Sequence, residues 1–251
     1  MSPAPTVVEL SAPYTNFLIN PLAPDAASVC SVCLTFTDGY PRCYPCGHRP
    51  RFADATLAIS YSVAFGQLHT ALAQYKRRQG RVAGALQLQL AAVLWRFLRA
   101  HEPCLASHAG VELFELVTTV PSGDQARDAA HPLPRIVGEL VGDTRDRYRR
   151  LLVRSGTAVA ARTVDPGKFN PTQDLSGEAV LLIDDTWASG ASVQSAAGAL
   201  KIAGAGPVAV LVIGRHINPE YAGNAARLRT LPRGFDWDRC AVHRVDAAPA
   251  S

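Results

Sequence analysis

Beyond residue 56, hydrophobic positions fall into short unbroken runs separated by stretches with helical spacing. The run LAISYSV at 57–63 predicts a strand, and 67–78 and 82–100 predict helices. The second helix carries Leu86, Leu90, Val93, Leu94, Phe97 and Leu98 on one face, with Trp95 assigned to the core; together these elements form a covering layer. Apolar runs at 114–120, 151–153, 179–184 and 208–214 then alternate with helical patterns around 133–140 and at 191–203. That alternation predicts βαβ units and a parallel sheet. The Val, Leu and Ile runs at 180–183 and 208–213 predict central strands covered on both faces. Residues 1–54 show neither period and are rich in Pro, Gly and Asp around four cysteines, so they are expected to form an N-terminal tail and a separate small module before an α/β domain at 55–251.

The chain has 251 residues, 48% of them hydrophobic, enough for one good-sized core plus a satellite. Lys and Arg number 25 against 21 Asp and Glu, an excess of four. This is too small to require a nucleic-acid partner by itself and fits phosphate ligands equally well. The first twenty residues lack a basic start followed by an apolar core, and the apolar stretch 91–98 is broken by Arg96, so neither a signal peptide nor membrane insertion is expected. The expectation is a cytoplasmic protein, in which six cysteines point to metal ligation more than to disulfides.

Cys30-x2-Cys33 and Cys43-x2-Cys46 are two knuckles separated by nine residues, a spacing that lets four thiolates meet around one zinc ion. Asp38-Gly39 is a hairpin-turn signal between them, and Gly47 is expected to permit the tight turn after the second pair. Such a closed four-cysteine site is structural; His48 is an unneeded extra ligand. Cys104, Cys240 and the histidines at 69, 108, 131, 216 and 243 show no paired ligand spacing and receive no role.

The most informative segment is VLLIDDTWASGASV at 180–193, where a buried strand ends in two acids and a loop of small residues opens a helix. Open parallel sheets bind ligands at the carboxyl ends of their strands. Thr186, Ala188, Ser189, Gly190, Ala191 and Ser192 would let backbone amides approach one phosphate closely, helped by the positive helix N-terminus. Asp184 and Asp185 would accept hydrogen bonds from two vicinal ribose hydroxyls. An ordinary strand and helix start with solvent-facing acids would carry the same letters.

This segment resembles the phosphoribosyl pyrophosphate (PRPP) motif of type I phosphoribosyltransferases, with Ala188 standing where that motif commonly has a hydroxyl residue. The resemblance implies a parallel-sheet phosphoribosyltransferase fold and Mg²⁺ bound with PRPP. It also implies a pyrophosphate loop within 117–127, where Ser122, Gly123 and Arg127 are the candidates, and a hood loop around Lys168 and Phe169. A zinc ribbon followed by such a domain is similar to the ComF family, associated with bacterial DNA uptake and natural competence. Tyr61 and the segment LAQYKRRQG at 72–80 resemble that family's pattern between the two modules, whereas 124–134 lacks its usual Arg-Gly-Phe-Asn-Gln run. The resemblance implies either a transferase acting on an unidentified acceptor or a non-catalytic competence module that binds single-stranded DNA or protein partners. The basic runs 76–81 and Arg145, Arg147, Arg149, Arg150, Arg154 could meet nucleic-acid phosphates, although a solvated helix face is the plainer reading of the second.

Overall fold

The computed structural model describes residues 4–24, 28–123 and 125–242. In chain order the elements begin with α1 (Val7–Thr15), the single-turn α2 (Tyr44–His48), β1 (Ala55–Val63), α3 (Gln67–Arg77), the long α4 (Gly80–His108) and β2 (Leu116–Thr119). Three short turns follow, α5 (Gln125–Ala129), α6 (Pro132–Arg135) and α7 (Gly142–Arg145), with a π-turn at Ile136–Leu140 between the last two. Then come β3 (Leu152–Arg154), β4 (Phe169–Pro171), β5 (Val180–Trp187), α8 (Ala191–Ile202), β6 (Val208–Ile217) and α9 (Asn224–Thr230).

The architecture is α/β: a four-stranded sheet in the order β1-β6-β5-β2, every pairing parallel. The inner strands are the two that carry unbroken apolar runs. Val180, Leu181, Leu182 and Ile183 have no exposed surface, and Val208, Ala209 and Val210 likewise. A parallel sheet needs both faces covered, because its crossovers place helices there. Helices α3 and α4 pack on one group of strands, and α8 on β5 and β6. Full burial of each such side chain contributes about 1.5–3 kcal/mol. β1, expected to belong to a covering layer, instead joins the sheet as an edge strand beside β6, with Leu57 opposite Leu211.

Three expectations change in ways that bear on the site. Strand β5 does not stop at residue 183 or 184 but runs on through Trp187, held by pairing of Thr186 with Gly214 and Trp187 with Arg215. The apolar segment 151–153 is not a strand of the main sheet. Its neighbour Tyr148 makes a single parallel bridge to Val117, and Leu152–Arg154 then turns away into an antiparallel ribbon with β4. The arginine run is not one helix face: only Arg145 lies in a helix, and although Arg145, Arg149 and Arg150 are exposed, several of its guanidiniums are engaged. Arg147 binds both carboxylate oxygens of Glu102, at 2.6 and 3.0 Å, and Arg150 pairs with Asp128.

The N-terminal segment is also more ordered than a tail. Thr6 and Glu9 form a reciprocal capping box on α1, which packs against α4. Among the described residues, no helix is long and apolar enough to cross a membrane. The tail from residue 247 lies outside the described residues.

Gly198, in the middle of α8, marks a close approach. A Cβ there would lie 2.6 Å from Pro166 and 2.9 Å from the Phe52 ring. Alanine ordinarily favours a helix over glycine by about 1 kcal/mol, but both neighbours here are rigid rings. Gly198→Ala is therefore expected to destabilise the chain by about 1–3 kcal/mol, the usual cost of overpacking, measured by urea denaturation.

Candidate functional site

Asp184 and Asp185 are flanked by residues paired with β6, so they belong to the strand and not to a loop following it. Successive side chains on a strand leave opposite faces, and the two carboxylates meet different surroundings. Asp185 is almost fully buried. Its Oδ2 accepts a hydrogen bond from the Tyr75 hydroxyl at 2.5 Å, and the Lys76 ammonium spans both oxygens at 2.7 and 2.8 Å. The His131 Nε2 lies 3.6 Å away. Asp184 keeps part of its surface, and its Oδ1 accepts from the Asp185 amide at 2.9 Å.

These groups set each other's charge. Burial, with the Asp185 carboxylate adding repulsion, raises the Asp184 carboxyl well above its ordinary range, although Lys76 opposes this. Burial and the neighbouring Asp185 push the Tyr75 hydroxyl up, keeping it a proton donor to the carboxylate. Burial lowers the His131 imidazole despite the attraction of Asp185, so the ring is neutral at pH 7 and does not add a second cation. The result is one buried carboxylate held by Lys76 and Tyr75, beside a second whose ionised form is disfavoured.

The small-residue loop follows directly. Gly190 is the residue before α8 and adopts φ 78°, and no side chain caps the helix. A Cβ at Gly190 would lie 2.6 Å from the Trp187 ring, so both the turn and the packing require glycine. Trp187 is itself buried, packed against Gly190. Ala188 and Ser192 are exposed, Thr186 and Ser189 half-buried, and Ala191 buried. Among the described residues, the side-chain contact to the first helical amide is a long one, Ala191 N to Ser189 Oγ at 3.4 Å. An uncapped helix start with exposed small residues is suited to an oxyanion.

The segment expected to cradle pyrophosphate follows β2, the strand next to β5. The Ser122 amide is already engaged, donating to Asp128 Oδ1 at 2.7 Å, and Asp128 is in turn paired with Arg150. Gly123 and Arg127 are exposed. Asp124 lies outside the described residues. Lys168 and Phe169 do not form a hood. Lys168 is 5% exposed and donates to the Thr163 carbonyl, and Phe169 is buried in β4 under the Arg154 guanidinium. The Asp165 amide docks on Ser195 Oγ of α8 at 2.9 Å. Exposed chain lies instead at 156–163, the tip between β3 and β4.

Cys30, Cys33, Cys43 and Cys46 bring their sulfurs within 4.8 Å of one another, with Cys33 and Cys43 3.7 Å apart. Four sulfurs bonded tetrahedrally to zinc at about 2.3 Å would stand about 3.8 Å apart, so the cluster can hold a zinc ion. The first knuckle turns at Leu34, whose φ of 59° is rare for a residue with a side chain. The second is the helical turn of α2, where Gly47 has an ordinary φ and open space around it, so its expected turn role is not required. His48 is not among the clustered ligands, and its Nδ1 lies 2.9 Å from the Tyr44 carbonyl oxygen.

Sequence reasoning missed the two arginines that join this cluster to the loop. Arg215 of β6 is buried and donates through Nε to the Cys33 carbonyl at 2.6 Å. It also donates through Nη1 to the carbonyls of Trp187 at 3.1 Å and Ala188 at 3.3 Å, while Nη2 lies 3.5 Å from Cys33 Sγ. Arg49, just past the second knuckle, reaches the Ser189 carbonyl at 3.3 Å. The Tyr61 hydroxyl donates to the Leu34 carbonyl at 2.9 Å. An arginine ending an apolar run such as VAVLVIGR is the only signal the letters hold for this link.

Fold and site together define a parallel α/β protein with a polar site at the carboxyl edge of its sheet and a four-cysteine cluster fastened beside it. No family model matches the chain, and no curated protein matches it.

Two outcomes follow. A raised carboxyl contributes stability that is fully present below its unfolded pKa, near 4, and is lost as pH rises through the higher folded value. Asp184→Asn removes that loss, so its stability relative to the parent should be near equal at pH 4 and should exceed it increasingly toward pH 8. The gain should be on the order of 1–3 kcal/mol, read from denaturation at several pH values. Disrupting the cluster with Cys30→Ser and Cys33→Ser should raise hydrogen exchange not only at 28–48 but also at 187–190, through loss of the Arg215 and Arg49 anchors.

Proposed function

We propose that this chain is a phosphoribosyltransferase-like protein of ComF type. In this reading it binds PRPP, or a related ribose 5-phosphate ligand, with Mg²⁺ at the carboxyl edge of β5, and transfers the phosphoribosyl group to an acceptor. The observation that carries the reading is the succession, on one strand and the helix after it, of an acid pair held by Lys76 and an uncapped helix start reached through small residues. The residues behind the family resemblance also converge. Lys76 reaches Asp185, and Tyr61 reaches the first cysteine knuckle.

The loop amides and the hydroxyls of Ser189 and Ser192 take the 5′-phosphate, and the two acids orient the ribose hydroxyls. Asp184 is the readier acceptor, because Asp185 already receives Tyr75 and Lys76. As the acceptor's lone pair forms a bond to the anomeric carbon, the bond from that carbon to the pyrophosphate oxygen breaks and pyrophosphate leaves with the electron pair. The segment of Ser122, Gly123 and Arg127 receives it, and Arg127 supplies a planar guanidinium suited to phosphate oxygens. Mg²⁺, coordinated chiefly by ligand oxygens, would neutralise phosphate charge. Asp184 fits the edge of such a site, since its ionised form gains from any neighbouring cation. Zinc at the cysteine cluster is structural. Many of the guanidiniums that suggested nucleic acid are engaged within the chain, which favours the small-molecule reading over a DNA-binding module.

Calorimetry of the full chain with PRPP and MgCl₂ tests this. Saturable binding is expected, weakened about tenfold or more by Lys76→Met, in line with the ~1.5–3 kcal/mol of a charged hydrogen bond. No binding at millimolar PRPP, together with salt-dependent binding to single-stranded DNA, would replace the proposal with the DNA-binding reading.

A further inference from the structure

Far along the chain from the four-cysteine cluster, His101 and Cys104 of α4 meet Cys240 from the segment after α9, and their ligand atoms all lie within 4.8 Å of one another. His101 and Cys240 are buried, and Cys104 is half-buried. His101 and Cys104 are three residues apart on a helix and so share a face. The His101 Nε2 is 2.8 Å from the Trp237 carbonyl oxygen, a contact it can make only as an N–H donor. That hydrogen bond fixes the tautomer and makes Nδ1 the ring's acceptor nitrogen, with the Cys104 sulfur 3.9 Å from it. A backbone carbonyl holding the far ring nitrogen is the usual second partner of a metal-bound histidine. A tetrahedral ion with bonds of about 2.0–2.1 Å to nitrogen and 2.3 Å to sulfur would set nitrogen and sulfur about 3.5 Å apart, so a shift of a few tenths of an ångström closes this pair.

We propose that His101 Nδ1, Cys104 and Cys240 form a second zinc site. One imidazole and two thiolates select zinc among the common divalent ions. Both thiols give up their protons on binding. The ion would fasten the C-terminal segment to α4, where that segment is already docked. The Trp237 indole donates to Thr15 Oγ1 at 3.0 Å and lies under the Arg96 guanidinium, and Asn20 bonds the Asp236 and Arg239 carbonyls. His243 follows Cys240 at the spacing that separates His101 from Cys104. It lies outside the described residues, and the three described ligands carry the proposal.

Zinc measured by mass spectrometry in the full chain, purified without chelator and desalted, should be two ions per chain. Cys104→Ala, at the half-buried position, should lower it to one, as should Cys240→Ser. The pair Cys30→Ser and Cys33→Ser should also leave one, and its cobalt form should show the weaker thiolate band of a two-sulfur site. If a variant at Cys240 fails to fold, the parent count and Cys104→Ala decide. A parent count of one overturns the proposal, and so does a Cys104→Ala chain that keeps both ions.

Discussion

A buried guanidinium holds the two halves of this molecule in register. Arg215 leaves β6 in a place where an unpaired charge would cost several kcal/mol, and it is surrounded by carbonyl oxygens from the first cysteine knuckle, from the end of β5 and from the next residue of its own strand. None of these is a carboxylate. The charge is therefore spread over peptide dipoles whose positions depend on two separate backbone turns, so neither turn can move far without leaving part of the cation unsatisfied. Leu34 in a left-handed conformation and Gly190 before α8 are the backbone shapes that this arrangement requires.

The same constraint explains why the four-cysteine cluster is more than an appendage. Its sulfurs are held by the local turns at 30–34 and 43–47, yet Phe52 and Ala53, just beyond it, donate their amides to Gln194 Oε1 on α8 at 2.7 and 3.1 Å. With Arg49 and Arg215, the segment thus touches both the loop and the helix that the loop opens. A closed cysteine site contributes folding free energy where it stands. A metal held there would deliver that stability to the loop after β5, in which small residues make little packing of their own.

Local patterns in the letters revealed what is local in the physics. The runs at 180–183 and 208–213 read as central strands because burial on both faces leaves no polar alternation, and the cysteine spacing reads as a cluster because each knuckle closes within a few residues. The extension of β5 through Asp184, Asp185 and Thr186 was not legible, since ladder pairing with β6 holds these polar residues extended where the apolar pattern stops. Lys168 looked like a loop cation, but packing of 165–169 against α8 turns it inward. Tyr75 and Lys76 were visible only as part of a family pattern. Their partner lies more than a hundred positions away, and no local period encodes it.

The acid pair shows why such a site is built on a strand and not beyond it. A loop would let two neighbouring carboxylates relax away from each other into water, and both would ionise freely. On β5 the backbone through the acids is fixed by its ladder to β6, which continues past the end of the pairing with β2, so the two carboxylates cannot relax apart and must differ. Asp185 is held by Lys76 and Tyr75, and Asp184 is left with an ionised form that burial disfavours. That imbalance is a cost to the folded chain on its own, and it becomes an advantage only when hydroxyl donors or a cation arrive at the strand's end. The uncapped start of α8 stands in the same position toward an anion, with donors that the chain itself leaves largely unused. Complementary unsatisfied groups, an acid short of donors and amides short of acceptors, a few residues apart on a rigid sheet edge, are what the proposed ligand, with hydroxyls and a phosphate on one small frame, would satisfy.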